Sequence, residues 1–147
     1  MKRLYLDVCT YCRPFDDHNF LRIRLETDAF YLITQHVKNG HYQAVVSPVH
    51  FKEVGAVTSL KKRFKIKALL NKADTDAVYN TNKARLRADE LHALKLGVAD
   101  AAHVAYAEQI ADVFITCDDK LLKKCKNIPL SVVAMDPIEF IMSEGLQ

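Results

Sequence analysis

A three-layer α/β/α sandwich with a central parallel sheet is the architecture this sequence predicts, and three observations predict it. Short apolar runs alternate along the chain with longer amphipathic stretches. The short runs lack the polar–apolar alternation of a half-exposed strand, as expected when helices cover both faces of a parallel sheet. Half of the residues are hydrophobic and 27% are charged, with only four Gly and four Pro, which excludes disordered and collagen-like chains.

The elements follow in order. Lys2 to Val8 carries Leu4, Tyr5, Leu6 and Val8 and reads as a buried strand ending in a turn near Pro14. From Asp17 to Lys38, Phe20, Ile23, Leu25, Phe30, Ile33 and Val37 recur at helical spacing, and Asn39-Gly40 stops the helix. Tyr42 to Ser47 is a second strand. Ser47 as cap and Pro48 in the first turn then start a helix that runs to Val57. Residues 58 to 97 read as helical in three pieces: Lys61 to Leu70, Thr75 to Asn80, and Asp89 to Leu96. Ala99 to Ile110 is rich in alanine, the strongest helix former. Val113 to Thr116 is a third strand, Asp118 to Lys124 a short helix, Ser131 to Ala134 a fourth strand, and Pro137 to Ile141 a terminal helical turn.

A chain of 147 residues fits a single domain, here 1–147, since domains typically run ~50–250 residues. No apolar run approaches the ~18–20 residues of a membrane span, and Asp7 interrupts the N-terminal run too early for a signal peptide. A cytoplasmic protein without a membrane partner is the expectation. Twenty-one Lys and Arg against 18 Asp and Glu give a net charge of +3, which permits an anionic partner without demanding one. Cys9, Cys12, Cys117 and Cys125 read as reduced thiols. Cys9 and Cys12 have metal or redox spacing, but Cys117 and Cys125 lack the tight spacing that would complete a zinc site.

In an open parallel sheet the site lies beyond the carboxyl ends of the strands. Asp7 ends the first strand and Asp118 follows the third by two residues. Glu53 lies one and a half turns into the helix after the second strand, and Asp100 opens the Ala-rich helix. Each of these acids alone reads more simply as a cap or a solvated charge. Together they come from separate elements and converge on one edge. Two unit charges ~4 Å apart repel by roughly 4 kcal/mol at an effective dielectric of 20, so such acids either share protons or hold a divalent cation. Oxygen ligands suit Mg²⁺ or Mn²⁺ better than zinc. Metal-assisted phosphodiester hydrolysis is the chemistry they predict.

Leu6-Asp7 after an apolar strand, Ser47-Pro48 with Glu53 downstream, Asp100-Ala101-Ala102-His103-Val104-Ala105, and Phe114-Ile115-Thr116-Cys117-Asp118 resemble the four motifs of PIN domains. These are the nucleases that include the VapC-type toxins. The resemblance spans nearly the whole chain in the right order. It implies an α/β/α sandwich whose acidic pocket binds Mg²⁺ or Mn²⁺ and cleaves single-stranded RNA endonucleolytically with an activated water. It assigns Asp7, Glu53, Asp100 and Asp118 as catalytic metal ligands, direct or through water. The spacing from Thr116 favours Asp118 over its neighbour Asp119, which reads as a helix cap. An antitoxin protein and a homodimer are further implications. One departure is Cys9, where many PIN domains carry Ser or Thr, because a thiol is the weaker hydrogen-bonding group.

His103, one helical turn after Asp100, stands outside this core set as a packed or exposed histidine. The run Lys61-Lys62-Arg63-Phe64-Lys65-Ile66-Lys67, with Lys72, Lys83, Arg85 and Arg87 beyond it, offers charge for an RNA backbone, and Phe64 or Tyr79 a surface for stacking a base. A solvated helix face is the plain alternative. Two rival enzymes also start from a strand-end Asp. A haloacid-dehalogenase-type phosphatase wants a second Asp where Cys9 stands, and a phosphoacceptor domain wants an acidic pair where Asp7 is alone. The alternative that remains is a catalytically weak or inactive PIN-like module that binds RNA or protein without cutting.

Overall fold

The computed structural model describes residues 1–147. Four parallel strands form its sheet in the order β2-β1-β3-β4: β1 (Lys2–Leu6), β2 (Tyr42–Val45), β3 (Val113–Ile115) and β4 (Val133–Met135). Eight α-helices surround it: α1 (Val8–Cys12), α2 (Leu21–Lys38), α3 (Pro48–Gly55), α4 (Leu60–Leu70), α5 (Thr81–Ala93), α6 (Val98–Ile110), α7 (Asp119–Lys126) and α8 (Pro137–Ser143). This is the expected α/β/α sandwich.

The sheet separates two apolar cores, and successive residues of its central strands point alternately into them. Tyr5 and Phe114 join Leu91, Val104, Ala105 and Leu121 on the α5–α6–α7 side. Leu4, Leu6, Val113 and Ile115 join Phe30, Ile33, Val54, Ile66 and Phe140 on the other. An apolar side chain is therefore required at every one of these strand positions, which explains the unbroken runs in the sequence.

The helix starts carry their own chemistry. Ser47 caps α3 by accepting from the Val49 N–H at 3.2 Å, and the His50 ring reaches back to accept from the Ser47 N–H at 3.1 Å. Pro48 occupies the first turn, where its missing N–H costs nothing.

Three segments depart from the expected order. Val8 leaves the strand and begins a short helix, because Asp7 caps α1 by accepting from the Val8 N–H at 2.8 Å. A 3-10 turn over Arg13–Phe15 and a turn in which Asp17 accepts from the Asn19 N–H delay α2 to Leu21. Thr75 to Asn80, expected to be helical, forms neither helix nor strand. Asp74 instead pairs with the edge strand β2, donating its N–H to the Ala44 carbonyl at 2.8 Å and accepting from the Val46 N–H. The helix then starts at Thr81, capped by the Asn80 side chain, and not at Asp89. It closes with Lys95 in the left-handed region (φ 82°), the conformation that lets the Leu96 N–H return to the Leu91 carbonyl.

Candidate active site

The strand order reverses between β1 and β3: the chain leaves β1 toward β2, then returns to add β3 on the opposite side. Loops diverge at such a point and open a crevice at the carboxyl edge. Asp7 sits at that point, 4% exposed, directly after β1, and its N–H extends the ladder to the Ile115 carbonyl of β3 at 2.8 Å. Its carboxylate is held from both sides. One oxygen caps α1; the other accepts from the Thr116 hydroxyl at 2.9 Å and the Cys9 thiol at 3.4 Å. Burial raises the Asp7 carboxyl above its ordinary range, and His103 and the Thr116 hydroxyl only partly offset it. Cys9 does what a hydroxyl would do at this position, more weakly, and Thr116 supplies the stronger bond.

Glu53 projects from α3 toward the same edge, with its side chain 39% exposed. Its partner is His103: the imidazole Nε2 lies 2.5 Å from a Glu53 oxygen and 3.8 Å from an Asp7 oxygen. The ring is fully buried, and its far nitrogen, Nδ1, is 2.6 Å from the Tyr5 hydroxyl. Tyr5 in turn lies 2.7 Å from the Ser47 hydroxyl. His50 packs edge-on against His103 at 5.1 Å between ring centroids, donating Nε2–H to the Leu6 carbonyl at 2.7 Å. Burial, reinforced by the nearby His103, pushes His50 down to about 3, and both of its ring nitrogens serve the backbone.

Asp100 lies in the first turn of α6, where the helix dipole favours a carboxylate, with one oxygen folded toward the glycine that starts the helix. Burial pushes its carboxyl up to about 6, with the charges of Asp7 and Asp118 contributing next and that of Glu53 behind the opposing effect of His103. Asp7, Asp118 and Glu53 therefore all act on Asp100 across the sheet edge. Asp118 spends one oxygen capping α7, accepting from the Lys120 and Leu121 N–H groups at 3.0 and 3.2 Å. Asp119, expected as the cap, is instead drawn off to Arg22 on α2 in a two-pronged pair at 2.5 Å, and that guanidinium holds its carboxyl below the usual range.

Sequence reasoning left out His103. The signal was present in its i+3 relation to Asp100, which puts both on one helix face. Asp7, Glu53 and His103 offer three donor atoms all within 4.8 Å of one another, so one divalent ion can touch all three. Asp100 and Asp118 lie outside that set of three but add charge to it. The four cysteines are free, and Cys125 is buried in the α5–α7 core.

Basic helix α4 packs against α3, with Ile66 and Leu70 inward and Phe64 exposed at 75%. Burial raises the Cys12 thiol, the Lys62 charge opposes that, and Asp16, Glu53 and Asp7 add to it, which puts Lys62 within electrostatic reach of the acids. Of the more distant cations, Arg87 is tied to Glu108 and Glu90, and Lys72 lines another cavity. Tyr79 packs edge-on against Tyr106 at 5.1 Å and is not free to stack a base. That cavity, 850 Å³, opens between α2 and α4 over Leu6 and Ala44, and none of the acids lines it.

The structure is similar to FitAcB from Neisseria gonorrhoeae, with a TM-score of 0.51 at 13% identity over 92% of this chain and 98% of that one. No curated protein sequence matches the chain. A family model, the PIN domain, matches residues 18–127, a segment that starts after Asp7 and contains Glu53, Asp100 and Asp118. No helix is long and apolar enough to cross a membrane. A match over most of the chain's 147 residues, on a 2-1-3-4 parallel sheet with acids at its switch point, places the chain in the PIN domain family.

Proposed function

We propose that this chain is a metal-dependent endoribonuclease that hydrolyses phosphodiester bonds of single-stranded RNA. The observation that carries the reading is the meeting of Asp7 and Glu53, 46 positions apart in sequence, around one imidazole, with Asp100 close enough for the charges of Asp7 and Asp118 to oppose its ionisation. Negative charge gathered at a sheet edge without a lysine or arginine among its hydrogen-bond partners is relieved by a bound cation. Mg²⁺ or Mn²⁺ is the ion this donor set suits, and either would lower the pKa of a bound water and neutralise phosphoryl charge. The residues do the rest. Thr116 and Cys9 fix the Asp7 carboxylate, His103 holds Glu53, and Asp100 and Asp118 add negative charge beside them.

The test is incubation of the purified chain with single-stranded RNA in Mn²⁺, in Mg²⁺ and in EDTA. Internal cleavage that needs the ion supports the nuclease. Binding without cleavage in either ion supports instead the PIN-like RNA- or protein-binding module. A protein antitoxin as partner, a homodimer, one domain over 1–147 and a cytoplasmic location belong to the same reading, and co-purification of a second chain from the native host tests the first of them.

Helix α4 is the proposed path for the RNA backbone, because its lysines sit beside Glu53-bearing α3. Replacing Lys61, Lys62 and Arg63 together with Ala is expected to flatten the dependence of log Kd on log salt by about 2, at ~0.7 per phosphate contact on single strands. A salt titration by fluorescence anisotropy reads this directly, and an unchanged slope removes α4 from the path.

A further inference from the structure

We infer that His103 is a direct ligand of the divalent ion, through Nε2, and that this nitrogen makes the site select Mn²⁺ over Mg²⁺. The inference rests on the metal-dependent reading above and goes beyond its all-carboxylate ligand set.

Four observations carry it. The donor atoms nearest to one another at the site are one oxygen of Asp7, one of Glu53 and His103 Nε2, all within 4.8 Å. Ligands on adjacent corners around a first-row divalent ion stand about 3 Å apart, given bond lengths near 2.1 Å. The Nε2 separations of 2.5 and 3.8 Å bracket that value, and Glu53, the more exposed partner, has room to open the shorter one. The imidazole itself is fully buried and fixed by the rings of Tyr5 and His50, so its edge cannot swing away.

The fourth observation concerns the far side of the ring. A histidine that binds metal through Nε2 must keep its proton on Nδ1 and needs an acceptor there. Here Nδ1 faces the Tyr5 hydroxyl, and Tyr5 faces the Ser47 hydroxyl. Both hydroxyls can donate or accept, so the pair can run in either direction. With Nε2–H given to Glu53, Tyr5 donates to Nδ1. With Nε2 free for a metal, Nδ1–H donates to Tyr5 and Tyr5 donates to Ser47. The proton on the ring moves without leaving a buried polar atom unpaired.

The consequence is selectivity. Mg²⁺ demands oxygen ligands and dehydrates reluctantly, whereas imidazole nitrogen is a good ligand for transition ions. Exchanging one carboxylate for a histidine therefore shifts the balance toward Mn²⁺.

The test is pulsed EPR of the full-length chain with substoichiometric Mn²⁺, prepared with ordinary and with ¹⁵N-labelled histidine, alongside calorimetric titration of Mn²⁺ and Mg²⁺. Expected are a directly bound nitrogen whose coupling changes with the label, and a Mn²⁺ Kd at least about tenfold below that for Mg²⁺. His103→Gln is expected to abolish the nitrogen coupling and weaken Mn²⁺ about tenfold or more while leaving Mg²⁺ within about twofold. Tyr5→Phe keeps the ring in the core and removes only the relay; it is expected to lower the Mn²⁺ preference while Mg²⁺ binding stays. The inference is overturned by Mn²⁺ that binds without histidine coupling. It is equally overturned by a coupling that survives in His103→Gln, which assigns the ion to another histidine such as the surface pair His36 and His41, or by a Mn²⁺ preference unmoved in Tyr5→Phe. If His103→Gln does not fold, the labelled native chain and Tyr5→Phe still decide. RNA cleavage in Mn²⁺ without a nitrogen signal would sink the ligand and spare the nuclease. A nitrogen signal without cleavage in any ion would do the reverse.

Discussion

Asp7→Asn is expected to lower the rate of RNA cleavage in Mn²⁺ by about 10³-fold, ~4 kcal/mol of transition-state stabilisation, while leaving the fold intact. Asparagine has the same shape, and its side-chain oxygen can still accept from the Val8 N–H that starts α1. The Thr116 hydroxyl now donates to the second Asp7 oxygen at 2.9 Å, and can turn to accept from an amide in its place. What is lost is the carboxylate at the strand-order switch point that, with Glu53 and His103, offers a donor atom to an ion. Because burial opposes ionisation of Asp7, the neutral variant removes a cost from the folded state. A melting temperature equal to or above that of the parent in EDTA, with cleavage gone and Mn²⁺ affinity reduced at least about tenfold, is the result that fits. Cleavage within about tenfold of the parent would mean that Asp7 only caps α1.

The parts of this architecture that were legible from residues are those where a periodic signal repeats. The runs around Leu4, Ala44 and Phe114 announce doubly covered strands because both faces need apolar side chains, and Ser47-Pro48 announces α3 through two independent helix-start preferences. Thr75 to Asn80 stays out of the helix because the open edge of β2 takes Asp74, just before it, as an extra partner, a contact no local pattern announces. The start of α5 is hidden for a related reason: Asn80 can cap it only because its own backbone is held in the β region. Asp7 and Asp118 follow β1 and β3 as the strand-end rule expects, and the i+3 spacing puts His103 on the same face of α6 as Asp100. What no spacing could supply was the buried contact between Tyr5 and His103, 98 residues apart, which turns a core histidine toward Glu53. Nor could the sequence show that Arg22, from α2, withdraws Asp119 from the acidic edge.

Asp100→Asn should also remove cleavage, by about 10²-fold, yet stabilise the ion-free protein at neutral pH, and the pH dependence separates its cause from a packing effect. The Asp100 carboxyl is raised from its ordinary range to about 6 by burial and by the charges of Asp7 and Asp118. The folded state therefore binds this proton more tightly than the unfolded chain does. Its ionisation costs stability above pH ~6, and the cost fades as pH falls toward 4. Discounted for a half-exposed group, the gain on replacing it at pH 7.5 is about 1 kcal/mol, or ~3 °C in Tm. His50 has the opposite sign. Its pKa, pushed down to about 3, makes the unfolded chain the better proton acceptor between pH 6.5 and 3, so stability is lost as acid is added through that window. In the parent the two slopes oppose each other between pH 6 and 4; in Asp100→Asn the His50 slope stands with less opposition. Calorimetric melts in EDTA are thus expected to show the variant ahead by ~3 °C at pH 7.5 and level with the parent near pH 4.5. A lead that persists unchanged at pH 4.5 would assign the effect to packing. Saturating Mn²⁺ provides the converse measurement, since an ion at 100 times its Kd stabilises by ~2.7 kcal/mol and favours the fully charged parent. The order of the two melting temperatures at pH 7.5 should then invert, because the repulsion that weakens the ion-free fold is the attraction that holds the cation.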